Sequence, residues 1–269
     1  MSLIDERQIV YINSRDRLTG ADGDFTYAIN LRPGNEFDHV VCLQAGIPKS
    51  YYPVQDGYNY LTLTELGHSI TLFLTPGSYT RNSLAVAIGA LLTAGSSTLG
   101  HGWSYTVAYP NANKNVDTGL YTITVTGNTG QPALTFDSVT FLDEMLGFAA
   151  SSTNVFSGGA LTSTQVVDLQ PFSSIQIHSD IVYNEFATAQ NTDTLQTVFA
   201  NVGSAPFSFI QWVCPDIEGF SHNFASRGTS TARFYLTDED GIPLDLNQDS
   251  VIDPPTETSV IRSVVLRRA

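Results

Sequence analysis

The chain has 269 residues, 42% of them hydrophobic and only 14% charged, with 26 acidic side chains against 12 basic ones and a formal net charge of −14. That is enough chain to bury a sizeable core, as one large β domain or as two smaller units. The acidic balance repels polyphosphate, and the nearest approach to a basic patch, Arg262, Arg267 and Arg268, is too small to offset it, which argues against direct nucleic-acid binding.

The first residues, Met1-Ser2-Leu3-Ile4-Asp5-Glu6, lack the basic and apolar regions of a secretory signal. Runs of β-branched and aromatic residues bounded by Gly, Pro, Asn and Asp then predict strands at 8–13, 24–31, 38–46, 59–65 and 69–75. A helix is predicted over 80–92, where Leu84, Ile88, Leu91 and Leu92 share a face, Thr80 is a candidate N-cap and Gly95 lies beyond the end. Its longest apolar run, Leu84 to Leu92, is far shorter than the ~20 residues of a membrane span, so a soluble protein is expected. Strands follow at 103–109, 120–126 and 133–140. Tyr121, Ile123 and Val125 alternate with three threonines, the pattern of a half-buried antiparallel strand. A short helical turn at 141–146 stops at Gly147. The Ser/Thr/Gly-rich stretch 149–164 reads as a flexible loop or linker, and further strands are expected at 173–183, 207–213, 231–237 and 260–267.

Many short strands, few helices and no βαβ alternation predict an all-β fold, an antiparallel sandwich. Cys42 and Cys214 sit in apolar contexts and read as two buried free thiols of a reducing compartment. The five histidines lack zinc-motif spacing, and neither G-x-S-x-G nor a phosphate-binding loop occurs. No enzyme activity and no cofactor are expected, although a Ser-His-Asp or paired-carboxylate site built from distant strands is a matter of geometry that spacing does not test.

Four local features are candidate sites. Asp245, Asn247, Asp249 and Asp253 have the opening spacing of a calcium loop, but Ser250 stands where Gly makes the turn, Thr256 where a bidentate Glu belongs, and Pro254-Pro255 forbids a following helix. The favoured reading is a hydrogen-bonded polar turn. Asp238-Glu239-Asp240-Gly241 predicts a hairpin turn with Gly at positive φ. Arg15, Asp16 and Arg17 are either an inter-subunit ion-pair site or solvated turn charges. Tyr51, Tyr52, Tyr58 and Tyr60 either line an interface or glycan-binding rim or, as favoured, pack at a sandwich end.

Four segments in this order resemble the penton and minor capsid proteins of virophages, polinton-like viruses and related icosahedral double-stranded DNA viruses. They are Tyr11 to Arg17 with Phe25 downstream; Val41 to Tyr52; Pro76 to Thr80 with Tyr105 to Tyr109, Tyr121 to Val125 and Leu146 to Phe148; and Phe234 to Asn247. The resemblance implies a single jelly-roll capsid domain over 1–269 with a helix-bearing inserted segment at about 76–148. It further implies a homopentamer at the five-fold vertices, with the major capsid protein of the same virion as partner and synthesis in the host cytoplasm or nucleus. Where such chains usually close soon after the Leu-Asp-Leu-Asn segment, this one continues through 249–255 to a last strand, which leaves vertex protein and related minor component both open. A carbohydrate- or receptor-binding viral β sandwich is the alternative, with the Tyr-rich region or the loops around 96–103 and 149–164 as its contact surface.

Overall fold

The computed structural model describes residues 7–30, 37–109, 117–170, 173–183, 193–200, 208–224, 230–247 and, for the backbone, 261–267. In chain order it carries β1 (Arg7–Val10), a 3-10 turn (Ser14–Asp16), β2 (Thr19–Ala21), β3 (Asp24–Ala28), β4 (His39–Pro48), β5 (Tyr60–Glu65) and β6 (His68–Phe73). Helix α1 (Arg81–Thr98) precedes β7 (Ser104–Ala108), β8 (Thr122–Thr126), β9 (Ala133–Thr135), α2 (Leu142–Leu146), β10 (Thr153–Val155) and β11 (Ala160–Thr162). The rest is β12 (Ser174–Ser179), β13 (Val182–Tyr183), β14 (Thr194–Phe199), β15 (Phe209–Val213), β16 (His222–Phe224), β17 (Thr231–Asp238) and β18 (Ile261–Arg267). The chain divides into two compact units, Met1–Tyr51 with Phe172–Ala269, and Tyr52–Pro171.

In the first unit, one sheet runs β14-β12-β17-β3-β2 and the other β1-β18-β4-β16-β13, with β15 pairing the far half of β4. Every pairing is antiparallel. Lettering β3 as B, β4 as C, β12 as D, β13 as E, β14 as G, β15/β16 as H and β17 as I gives B-I-D-G across one sheet and C-H-E across the other. That is the jelly-roll order, in which successive strands alternate between two facing sheets. Alternation in sequence fills the space between them: Phe25, Ile175, Ile177, Leu195, Val198, Phe234 and Leu236 from one sheet meet Val40, Cys42, Ala45, Ile47 and Ile210 from the other. Phe25 and Phe234 are register partners with ring centroids 5.8 Å apart.

The second unit has sheets β10-β9-β5-β6 and β11-β8-β7. Leu61, Leu63, Leu72 and Leu134 from the first share one core with Tyr105, Ile123 and Val125 from the second. The predicted inserted segment 76–148 lies inside this unit. Thr80 caps α1 as predicted, its hydroxyl accepting from Ser83 N while Ser83 returns the bond. The helix does not end before Gly95, however, but continues to Thr98. A Cβ at Gly95 would lie 2.7 Å from Leu72 Cδ1, so the glycine lets α1 approach β6 closely and serves packing there, not termination. At the end of α2, Gly147 does terminate: its φ is 76°, and a Cβ there would meet the Gln165 carbonyl at 2.2 Å. The stretch 149–164, expected as a loop, carries β10 and β11, because Thr153 and Val155 find partners on β9 and Thr162 one on β8. Short polar strands of this kind gain their stability from the neighbour and not from their own pattern.

Candidate assembly surface

The loop entering the first sheet is built by its own polar side chains. Asn13 accepts from Arg15 N at 3.0 Å and opens the 3-10 turn. Arg17 folds back, donating from Nε to the Gly20 carbonyl at 2.7 Å and from Nη1 to the Ser14 carbonyl at 3.0 Å and to Asp22 at 2.7 Å. Of the three sequence-predicted interface residues, Arg17 therefore holds its own loop together, while Arg15 and Asp16 stand exposed on the turn. Leu18 follows, donating its backbone N–H to Thr26 and so extending β2, yet its side chain is 56% exposed. Tyr27 OH donates to the Tyr11 carbonyl at 3.1 Å and Gln8 Nε2 to the Asn30 carbonyl at 2.8 Å, tying β1 to the strand beside β2. One flank of the jelly roll thus presents Ile9, Tyr11 and Leu18 to solvent.

The other flank is built from β13 and β14, and it presents Tyr183 and Phe199, the latter 67% exposed. Phe199 is register partner to Ser174. The backbone N–H and hydroxyl groups of Ser173 and Ser174 all donate to Glu239 Oε2, at 2.6 to 3.1 Å. Burial works to raise the Glu239 carboxyl, but these four bonds outweigh it and hold the group below its ordinary value. Exposed Asp240 stands next in the chain. The two flanks are unlike: Leu18 follows Arg15 by three residues, whereas Phe199 pairs with Ser174, which donates to Glu239.

Between these flanks, on the outer side of the five-stranded sheet, lies a depression of about 510 Å³ lined by Asp22, Asp24, Arg233, Tyr235, Asp245 and Asn247 among others. Its charges are mutually satisfied, since Arg233 grips both Asp24 oxygens at 2.8 and 2.6 Å. Asn247 donates its backbone N–H to Asp245 Oδ1 at 2.8 Å and its side-chain amide to the Ser50 carbonyl at 3.2 Å. The described half of the D-x-N-x-D segment is therefore a hydrogen-bonded turn, and Asp249 and Asp253 lie outside the described residues. No group of three metal-ligating side chains occurs among the described residues. Asp238 Oδ1 accepts from the backbone N–H groups of Asp240 and Ile242, and Gly241 has φ 81°, so the predicted turn closes on its own carboxylate.

A dispersed set of hydroxyl, imidazole and carboxylate gathers at β12. His178 Nδ1 lies 3.1 Å from Asp193 Oδ1 and Nε2 lies 2.9 Å from Thr237 Oγ1, an order of hydroxyl, imidazole and carboxylate. Thr237 is only 4% exposed, one residue from the end of β17, and its hydroxyl also reaches the Asp238 carbonyl at 2.9 Å. With Thr237 buried and its hydroxyl engaged by both His178 and the Asp238 carbonyl, the set reads as a lock across β14, β12 and β17. Tyr235 completes it, stacking on His178 at 4.6 Å and donating its hydroxyl to Asp193. Burial lowers the His178 pKa against the opposing pull of Asp193. Because the folded value lies below the unfolded one of about 6.5, the stability it contributes is present above that pH and is lost as pH falls toward the folded value. Melting curves between pH 7.5 and 4.5 are expected to show a smaller acid-side loss in His178→Phe than in the parent chain; parallel curves would refute the assignment.

The tyrosines separate in the structure. Tyr51 is buried in the first unit's core, while Tyr58 stacks on Phe141 at 5.3 Å and Tyr60 meets Phe73 at 5.8 Å in the second. Both cysteines are free, but only Cys42 is buried as expected and Cys214 is half-buried; burial pushes the Cys42 thiol up to about 12, with neighbouring Cys214 adding to the rise. Among the described residues no helix is long and apolar enough to cross a membrane. No family model matches the chain, and no curated protein does. Among solved structures it is similar to the crystal structure of the mavirus penton protein, with 13% identity over 98% of this chain and 97% of that one and a TM-score of 0.41. It is also similar to a chain of the cryo-electron-microscopy structure of the Sputnik virophage, with 10% identity over 98% of this chain and 97% of that one and a TM-score of 0.44.

Proposed function

We propose that this chain is a capsid building block that closes into a homopentamer at the five-fold vertices of an icosahedral virion and docks there with the major capsid protein. The observation that carries the reading is the pair of unlike apolar flanks on one jelly roll, Ile9, Tyr11 and Leu18 on the β1/β2 side and Tyr183 and Phe199 on the β13/β14 side. A ring needs a head-to-tail interface made from two different surfaces, whereas a two-fold dimer needs one self-complementary surface. Among the described residues β1, β2, β13 and β14 are edge strands, and edges with exposed large side chains are a hazard in a monomer and an asset in a lateral contact. The copy number of five comes from the sequence resemblance, not from the flanks.

The function is mechanical: shape and surface complementarity with no chemical step. Sparse charge suits it, since charge is depleted at the core of an interface. Native mass measurement of the purified chain is expected to give five times 29.2 kDa, or a shift to that mass on adding the major capsid protein. A chain that stays monomeric under both conditions overturns assembly, and imaging that finds it away from the five-fold positions overturns the placement.

A further inference from the structure

The sheet β10-β9-β5-β6 of the Tyr52–Pro171 unit turns its leucines inward and presents an outer face of unusual composition. By register, Thr71, Thr62, Thr135 and Thr153 form one row across all four strands. Their hydroxyls meet in pairs, Thr62 with Thr71 at 3.5 Å and Thr135 with Thr153 at 3.1 Å, and Thr64 meets Ser69 in the next row at 2.8 Å. No Lys, Arg, Asp or Glu lies in these rows, in a chain of net charge −14. At one end the face finishes in two aromatic rings, Phe73 and its register partner Tyr60, 5.8 Å apart and inclined at 48°. Phe73 is 60% exposed. Beside them stands the exposed carboxylate of Asp137, close to the Tyr60 hydroxyl.

We propose that this aromatic end of the threonine face binds a neutral saccharide. A pyranose offers an apolar face of C–H bonds and a rim of hydroxyls, each of which both donates and accepts. An exposed, inclined ring pair accepts the first, and a row of threonine hydroxyls matches the second, with the Asp137 carboxylate beside it, whose Oδ1 already accepts from Ser138 Oγ at 3.2 Å and Val139 N at 3.4 Å. Charge decides between ligand classes. Nothing cationic lies in the rows to pair a sialic acid, a sulfated glycan or a phosphate backbone, and the acidic chain repels all three. A protein partner fits less well, because a stable interface needs a desolvated apolar core, and these rows supply little apolar surface beyond Phe73, Tyr60 and Val155. The site does not depend on ring assembly, so it is testable on the chain in any oligomeric state.

The test is saturation-transfer NMR and calorimetry on the full chain with neutral oligosaccharides of gluco, galacto, manno and N-acetylglucosamine configuration, with sialyllactose and a heparin oligosaccharide as anionic probes. At least one neutral sugar is expected to bind at millimolar or tighter affinity. Phe73→Thr is expected to weaken it tenfold or more at unchanged melting temperature, since the side chain is exposed, and Asp137→Ala to weaken it as much with a small fall in melting temperature, since it also removes the bonds from Ser138 Oγ and Val139 N. Absence of transfer to every neutral sugar, a preference for the anionic probes, or equal binding by Phe73→Thr overturns the proposal. Loss of major-capsid-protein association in Phe73→Thr without any sugar signal overturns it too, and gives the face to a protein partner.

Discussion

Leu18→Asp and Phe199→Asp are each expected to reduce the assembled form to monomer at micromolar concentration while leaving the melting temperature of the chain unchanged. Both side chains are more than half exposed in the single chain, so neither supports its core. In a lateral contact each would be buried, contributing about 1.5–3 kcal/mol of apolar transfer, and an aspartate in its place adds the cost of an unpaired buried charge. At 1.4 kcal/mol per decade, one such change weakens every interface of a ring by two or more orders of magnitude. The decisive measurement is on the mixture. If the flanks meet head to tail, a Leu18→Asp chain keeps a working β13/β14 flank and a Phe199→Asp chain keeps a working β1/β2 flank. Mixing the two then restores one interface and gives a heterodimer, never a larger ring. If either flank pairs with its own kind, one variant alone remains dimeric and the mixture adds nothing, and the head-to-tail reading is wrong. If Arg15 of one copy lies against Glu239 of the next, Leu18→Asp is expected to lose more at low salt than Phe199→Asp, since its new carboxylate faces Glu239 and the other faces Arg15, and such rim charges are screened within about a Debye length of 10 Å at 0.1 M.

Strand alternation was the most legible part of the fold, because burial on one face writes itself directly into the sequence. Tyr121, Ile123 and Val125 are all buried, as their spacing from the threonines predicts, and the apolar stripe Leu84, Ile88 and Leu92 is buried on α1. What sequence did not carry is pairing at long range. Nothing local says that Phe25 lies against Phe234, or that β4 is bordered by β18 on one side and β15 and β16 on the other. Those contacts define the jelly roll and make Tyr52–Pro171 an interruption between its strands C and D. The strand Thr194–Phe199 went unread because its neighbours are polar and its own run holds only three apolar residues. The candidate surface was half legible. Arg15, Asp16 and Arg17 stand out as charges in an uncharged context, but only coordinates reveal that Arg17 is committed to Ser14, Gly20 and Asp22. Leu18 and Phe199 carry no signal at all in sequence, since an apolar residue does not announce that it faces water. Similarly, Phe73 and Asp137 become neighbours of Tyr60 only once β6 and the segment after β9 are placed beside β5.

The second large effect belongs to Glu65, the last residue of β5 and fully buried. Its Oε2 accepts from Ser96 Oγ on α1 at 2.9 Å and from His101 Nδ1 at 2.7 Å, and its Oε1 accepts from Tyr105 OH on β7 at 2.6 Å. Ser96 Oγ in turn accepts from Trp103 N at 2.8 Å, and His101 stacks on Trp103 at 5.4 Å. One carboxylate thus joins a strand of one sheet, the last turn of the helix and the edge strand of the other sheet. Burial pushes the Tyr105 hydroxyl well above its ordinary value, with the bond to Glu65 adding to the rise, so this phenol remains a donor throughout the accessible range. Glu65→Ala leaves the imidazole and the phenol without their acceptor in the interior. Removing one side of a buried charged network costs about 3–5 kcal/mol. That corresponds to a fall of roughly 10–15 °C in melting temperature for a chain of this size. Tyr105→Phe removes a single bond to the carboxylate and is expected to cost about 1.5–3 kcal/mol, and Glu65→Gln, which keeps an acceptor for two of the three donors, to fall between them. Thermal and urea unfolding of the three variants decides the matter: if Glu65→Ala is no worse than Tyr105→Phe, the carboxylate is a passive neighbour and the union of sheet, helix and sheet rests on the apolar core alone.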